Sequence, residues 1–274
     1  LRGLRRQPPL KKKAYKDAID ALDKFKNKIY DSSPNAISPS TLAGQFLAKY
    51  EPLPQVLTIS VKCKIEVKRV SYRGLTEEEI QKAIKEGRVP VFTEIVEDVT
   101  PDELKVWKEN FFTQSLYWDT AFRFHCQKDW WEELAATTFI RFSEASSSES
   151  PQINIWVYKK LESLPNAREE VKMNNGYFYK DSLNIDIRHE IGHMFGLDDE
   201  YGYDGQPVRH SALVEREFGH PILAERWRKD SIMYSHNGTV IYMEHGVTFL
   251  EALRKITGMQ EWKFTRKSPR PIPN

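Results

Sequence analysis

The sequence predicts an α+β fold, a twisted mixed β-sheet packed on a central helix, with a helical extension at the N-terminus. Three observations carry that expectation. From Leu57 to Val67, apolar Leu57, Ile59, Val61, Cys63, Ile65 and Val67 alternate with Thr58, Ser60, Lys62, Lys64 and Glu66, the period of a half-buried strand. From Ala14 to Tyr30, residues Ala18, Ala21, Leu22, Phe25 and Ile29 recur at the spacing of one helix face. Further on, Ile187, Ile191 and Phe195 stand four apart, so a second helix with an apolar face follows a series of β-rich runs.

Taken in order, residues 1 to 13 hold six Lys or Arg and two prolines and read as a solvated basic arm. The first helix ends before the stretch from Asp31 to Ser40, whose two prolines and four serines break it. We therefore expect residues 1–50 to form the arm and helical extension, and residues 51–274 to form one domain. After the long strand, Thr76 with Glu79 three residues on has the signature of a helix start. So does Thr100-Pro101 with Glu103, as cap, first helical residue and reciprocal capping partner. The runs Thr120 to Cys126, Thr137 to Phe142 and Ile153 to Tyr158 read as adjacent strands of one sheet, and Leu183 to Ile187 as a β-rich lead into the second helix. A helical tail is expected near Phe249 to Ile256.

Composition narrows the choices. A chain of 274 residues with 40% hydrophobic residues can bury a sizeable core. With 41 basic against 39 acidic residues the net charge is +2, too small for a global field toward nucleic acid or membrane, so nucleic acid is not an expected partner. No apolar run approaches the roughly 18 residues of a membrane span, so a soluble chain is expected. It begins with Leu1 rather than Met, as a processed product or a fragment would, so the start carries no information about compartment. Cys63 and Cys126 share faces with apolar neighbours and read as small core residues.

The chemistry concentrates in one run, Asp186-Ile-Arg-His-Glu-Ile-Gly-His-Met-Phe-Gly-Leu-Asp-Asp-Glu-Tyr201. On a helix spanning about residues 183–196, His189 and His193 lie one turn apart on the same face. Both imidazoles can then reach one zinc ion at about 2.0–2.1 Å. Glu190, rotated about a quarter turn from His189, sits where a general base can take a proton from a metal-bound water. Gly196 stands where a helix closes with a left-handed residue, letting the chain turn back under the metal.

Six residues past His193 comes Asp199, and the pattern His189, Glu190, His193, Gly196, Asp199 resembles the extended motif of the metzincin clan of zinc metallopeptidases, with aspartate in place of the usual third histidine. A carboxylate is a sound zinc ligand at about 2.0–2.2 Å, while Glu200 and His245 are the other residues open for the position. Downstream, Asp230-Ser-Ile-Met-Tyr-Ser235 is similar to the Met-turn that floors the metal in that clan, at about residues 230–235 and 40 residues after His193. Together the two stretches also resemble zincin domains of bacterial toxin and effector proteins. The resemblance implies a zincin-like catalytic domain whose sheet packs on the active-site helix. It also implies zinc as cofactor, Glu190 as catalytic base, and Tyr234 or else His245 as the donor that stabilises the oxyanion. The implied reaction is hydrolysis of a protein or peptide substrate, performed by a secreted or delivered chain. We expect the peptide to add to the sheet edge at Ile153 to Tyr158. The competing class is a binding module that zinc only staples, and retention of Glu190 speaks against it.

Plainer readings suffice elsewhere. His210, His220 and His236 read as surface histidines, and His125 as a strand residue facing away from the core. Asp198 reads as a cap or a partner of Arg188, and Trp107, Trp118, Trp130 and Trp131 as packing. Asn237-Gly238-Thr239 fits a glycosylation sequon.

Overall fold

Apolar residues on one face build the first helix, α1 (Pro9–Lys26), which buries Leu22 and Phe25. It starts ahead of the expected Ala14 and stops short of Tyr30, which enters the two-residue strand β1 (Tyr30–Asp31) and leaves Ile29 exposed. The structure is a computed structural model and describes residues 9–38, 45–68, 70–74, 77–87, 93–159, 176–201, 207–222, 229–234 and 238–265. Within them are six α-helices and ten strands, an α+β fold with a mixed sheet.

Strand β2 (Leu47–Glu51) follows, then β3 (Val56–Val67), whose alternation is as the sequence predicts: Leu57, Ile59, Val61, Cys63 and Ile65 are buried. Val67, at the open end, is exposed. Next come β4 (Val70–Gly74), α2 (Glu77–Lys85), β5 (Thr93–Glu97) and α3 (Pro101–Ser115). Thr76, the expected cap of α2, lies outside the described residues. At α3 the capping box is present in full: Glu103 N–H donates to Thr100 Oγ1 (3.3 Å) and Thr100 N–H to Glu103 Oε2 (2.9 Å). The backbone donor from Thr100 holds the Glu103 carboxyl below its usual range. The chain continues through β6 (Arg123–Cys126), β7 (Ala135–Glu144), β8 (Ile153–Tyr158), β9 (Tyr177–Tyr179), α4 (Asn184–Met194), α5 (Ser211–Phe218), α6 (Val247–Thr257) and β10 (Trp262–Phe264).

The described chain divides into two compact units, each assembled from several segments. One unit holds the residues up to Val61, Leu116–Arg141 and those from Gly192 onward. Its sheet order is β1-β2-β3-β7-β6-β10, with β1, β3, β7 and β10 antiparallel to their partners β2 and β6 wherever register is defined. Rings fill its core: Phe249 packs on Phe46, Phe122 and Phe195 at centroid distances of 5.0–5.7 Å, and Trp118 on Phe195. The other unit holds Lys62–Ser115 and Phe142–Ile191, where the end of β3 pairs in parallel with β8, and β8 in parallel with β9. There Trp107 and Phe111 of α3 pack on Phe178. In this unit β4 and β5 form a separate antiparallel pair.

Several expectations require correction. Strand β6 is shorter than Thr120 to Cys126, because Thr120 takes a left-handed conformation (φ 54) that no strand accommodates. The three middle strands are not all neighbours: β6 pairs with β7, whereas β8 reaches β3. Nor is Ile153 to Tyr158 an open edge, since β9 covers Trp156–Tyr158 and stacks Tyr177 on Trp156 at 5.0 Å. Leu183 to Ile187 is no strand either; Asn184–Ile187 is the first turn of α4, and β9 is the strand that leads into it. Trp107, Trp118 and Trp131 are buried as expected, while Trp130 stands 42% exposed. The two cysteines are buried and free, and burial pushes both thiols up, away from thiolate chemistry. No helix among the described residues is long and apolar enough to cross a membrane.

Candidate metal centre

Helix α4 carries an apolar face and, beside it, the residues His189, Glu190 and His193. Ile187, Ile191, Met194 and Phe195 are buried. The helix closes as the sequence predicts: Gly196 adopts φ 83, its N–H donates to His193 O (2.9 Å), and Leu197 N–H donates to Gly192 O (3.2 Å). This paired closure satisfies the last carbonyls and sends the chain back along the helix. His189 and Glu190 are almost wholly buried, and one donor atom each of His189, Glu190 and His193 lies within 4.8 Å of the others.

The protonation state of His193 follows from its partners. Its Nδ1 lies 2.8 Å from Leu197 O, an atom that can only accept, so Nδ1 carries a proton and Nε2 is the ring nitrogen left to bind a metal ion or a second proton. That Nε2 sits 3.3 Å from Asp199 Oδ1. Two lone-pair atoms repel at this separation unless a positive charge, a second proton or a metal ion, lies between them. In a tetrahedral site with bonds of about 2.0–2.2 Å, neighbouring donors stand about 3.3–3.5 Å apart, so the spacing fits a zinc ligand pair. Two imidazoles and a carboxylate are a donor set zinc accepts, with room for a fourth ligand; among the described residues the donors that cluster are those of His189, Glu190 and His193, and Asp199 stands beside His193 but outside that cluster.

The turn at Met233 packs against α4 at Gly192. Tyr234 N–H donates to Ser231 O (3.0 Å), Met233 is fully buried, and Glu200 N–H donates to Met233 O (2.8 Å), tying the turn to the segment that carries Asp199. Gly192 makes the approach possible: a Cβ there would overlap Met233 Sδ and come within 3.1 Å of Trp118 Cζ2. On an open helix face, Gly→Ala stabilises by about 1 kcal/mol. At this position we expect Gly192→Ala instead to cost about 1–3 kcal/mol through overpacking, measured by urea denaturation.

The remaining candidates fall into two groups. Tyr234 is half-buried on the Met233 turn, next to Met233 in sequence. His245 is buried and committed elsewhere: Nδ1 accepts Tyr242 N–H (3.1 Å), so Nε2 carries the proton, directed at Glu200 Oε1 (3.0 Å) and Ser231 Oγ (3.2 Å). Glu200 is likewise wholly buried, with Oε1 against His245 Nε2. Asp198 pairs not with Arg188 but with the backbone of Arg209, whose N–H donates to Asp198 Oδ2 (3.0 Å), while Arg188 Nε donates to Gln114 Oε1 (2.8 Å). His220 is exposed as expected; His236 and Asn237 lie outside the described residues.

His210 overturns its surface reading. It is completely buried, its Nδ1 accepts Asp198 N–H (3.0 Å), and burial pushes its pKa down to about 4, so the ring is neutral. No local pattern could reveal this, because the partner lies 12 residues back in the chain.

Compared with protein-family models, curated proteins and solved structures, the chain has no match in any of the three.

Proposed function

We propose that this chain is a zinc-dependent endopeptidase of the zincin type, with His189, His193 and Asp199 as metal ligands and Glu190 as general base. The observation that carries the reading is the apposition of His193 Nε2 and Asp199 Oδ1 at 3.3 Å, with the Nδ1 proton already committed to Leu197 O. When bound, zinc supplies an acidified water and a Lewis acid for a carbonyl. Glu190 would serve there as the base that takes a proton from the attacking water and hands it to the departing amine nitrogen. Burial of Glu190 keeps bulk water from competing for the transfer. His193 is held in the ligating tautomer by Leu197 O, and Asp199 is fixed by the turn that carries it. Tyr234 is the better candidate for the oxyanion donor, since both ring nitrogens of His245 are engaged within the protein.

The substrate class is an extended peptide adding to a sheet edge. On the β8 side that edge is β9, the outer strand among the described residues. The likeness of the His189 to Tyr201 run to bacterial toxin and effector zincin domains supports a secreted or delivered role. The test is metal analysis with peptide cleavage. Purified protein should carry one zinc per chain and cleave a random peptide library; a chelator should abolish cleavage and added zinc restore it. Metal-loaded protein without stoichiometric zinc would end this reading.

A further inference from the structure

Asp199 sits in a short segment whose flanking residues are tied down on both sides. On one side, Glu200 N–H donates to Met233 O (2.8 Å), and Glu200 Oε1 takes the His245 Nε2 proton (3.0 Å). On the other, Asp198 is gripped twice: its N–H donates to His210 Nδ1 (3.0 Å), and its Oδ2 accepts Arg209 N–H (3.0 Å). The Arg209-His210 pair therefore takes both a donor and an acceptor of the residue just before Asp199.

Among the described residues the Asp198 amide is the hydrogen-bond partner that the His210 ring has. The ring is completely buried, and among the described residues its Nε2 has no hydrogen-bond partner and it is not one of the clustered donors of α4. An apolar side chain of similar size would remove the unsatisfied ring N–H but would leave the Asp198 N–H without its acceptor. Leaving one ring nitrogen unsatisfied is a cost, and the only return the structure shows is the acceptor placed on the Asp198 amide. The consequence falls on Asp199. With Asp198 and Glu200 both held, the intervening residue has little freedom beyond its own side chain, and its carboxylate stays 3.3 Å from His193 Nε2.

We propose that His210 is a positioning residue for the metal centre: by accepting the Asp198 amide, it holds the Asp199 carboxylate at the distance from His193 at which both can share one ion. This inference rests on the zinc reading above, and the experiment separates the two. His210→Leu removes the acceptor and keeps apolar bulk; His210→Asn places a carbonyl oxygen close to where Nδ1 stood. Zinc affinity is measured by competition with a chromophoric chelator, and ligand geometry by the visible spectrum of the cobalt-substituted protein. His210→Leu should weaken zinc binding about 10–100-fold and alter the cobalt spectrum, whereas His210→Asn should restore both toward wild type. Asp198→Ala, which removes the carboxylate from Arg209 N–H while leaving His210 in place, should weaken binding in the same direction and serves if His210→Leu does not fold. Variants that bind zinc as tightly as wild type with an unchanged cobalt spectrum overturn the positioning role alone. If His210→Asn fails as badly as His210→Leu, the ring matters only for packing and the role is again overturned. A wild-type protein that takes up no zinc overturns the metal reading, and the positioning role falls with it.

Discussion

Glu190→Gln is expected to yield a folded, zinc-loaded protein whose peptide cleavage has fallen about 10²–10⁴-fold, the usual worth of a general base. Glutamine is the suitable replacement because the side chain is only 5% exposed, so truncation to alanine would add a cavity to the chemical defect. The amide keeps the shape and removes the basic oxygen, so kcat should carry the loss while zinc content and thermal midpoint stay close to wild type. Full activity in this variant would exclude peptide hydrolysis by the proposed base. Loss of zinc together with activity would instead place Glu190 among the ligands and leave the centre a staple rather than a catalyst.

Glu217→Gln is expected to be the most destabilising single change, at about 3–5 kcal/mol, because it strands buried positive charge. Glu217 on α5 takes a bidentate pair from Arg254 on α6, through Nη1 to Oε1 and through Nη2 to Oε2 at 3.0 Å, and Lys263 of β10 reaches Oε2 at 3.1 Å. The Arg254 guanidinium is 4% exposed and the Glu217 carboxylate 3%, so both are desolvated. Arg254 also donates to Trp262 O (2.6 Å), so one ion pair joins two helices and the last strand. For a chain of this size the thermal midpoint should drop on the order of 10 °C, read by circular dichroism.

The same carboxylate sets a pH dependence. Burial alone would raise its pKa, but the hydrogen bonds from Arg254 and Lys263 outweigh burial and the group titrates below its usual range. A lowered folded pKa means that the unfolded chain takes up the proton first. Its stability contribution is complete above the unfolded carboxylate pKa, near 4.5, and is lost as pH falls through the lower folded value. Acid unfolding of Glu217→Gln should therefore be shallower than that of wild type. Equal slopes would show that Glu217 does not carry this transition.

The legible parts of the fold are those with a local cause. The twelve residues of β3 are readable because one strand with one buried face must alternate. The α3 capping box is readable because cap, proline and glutamate act within one turn. By contrast β1, β2, β9 and β10 run from two to five residues, too short to display a period, and what makes them strands is the neighbour each one pairs with. The apparent edge at β8 misleads for that reason, since the aromatic triplet Tyr177–Tyr179, about twenty residues further along, covers it.

What the amino-acid order determined by itself is the front of α4. Helical geometry alone sets His189, Glu190 and His193 close together, and Gly196 closes the turn because only glycine adopts φ 83 without steric cost. The six-residue offset of Asp199 from His193 was likewise on display, and the structure adds their 3.3 Å approach. What only the tertiary structure decided is that Glu200 is drawn to His245 and His210 is buried against Asp198. These two pairings join residues 45 and 12 positions apart with no repeating pattern between them, so the burial and closure of the chain choose them, not any spacing that a sequence displays.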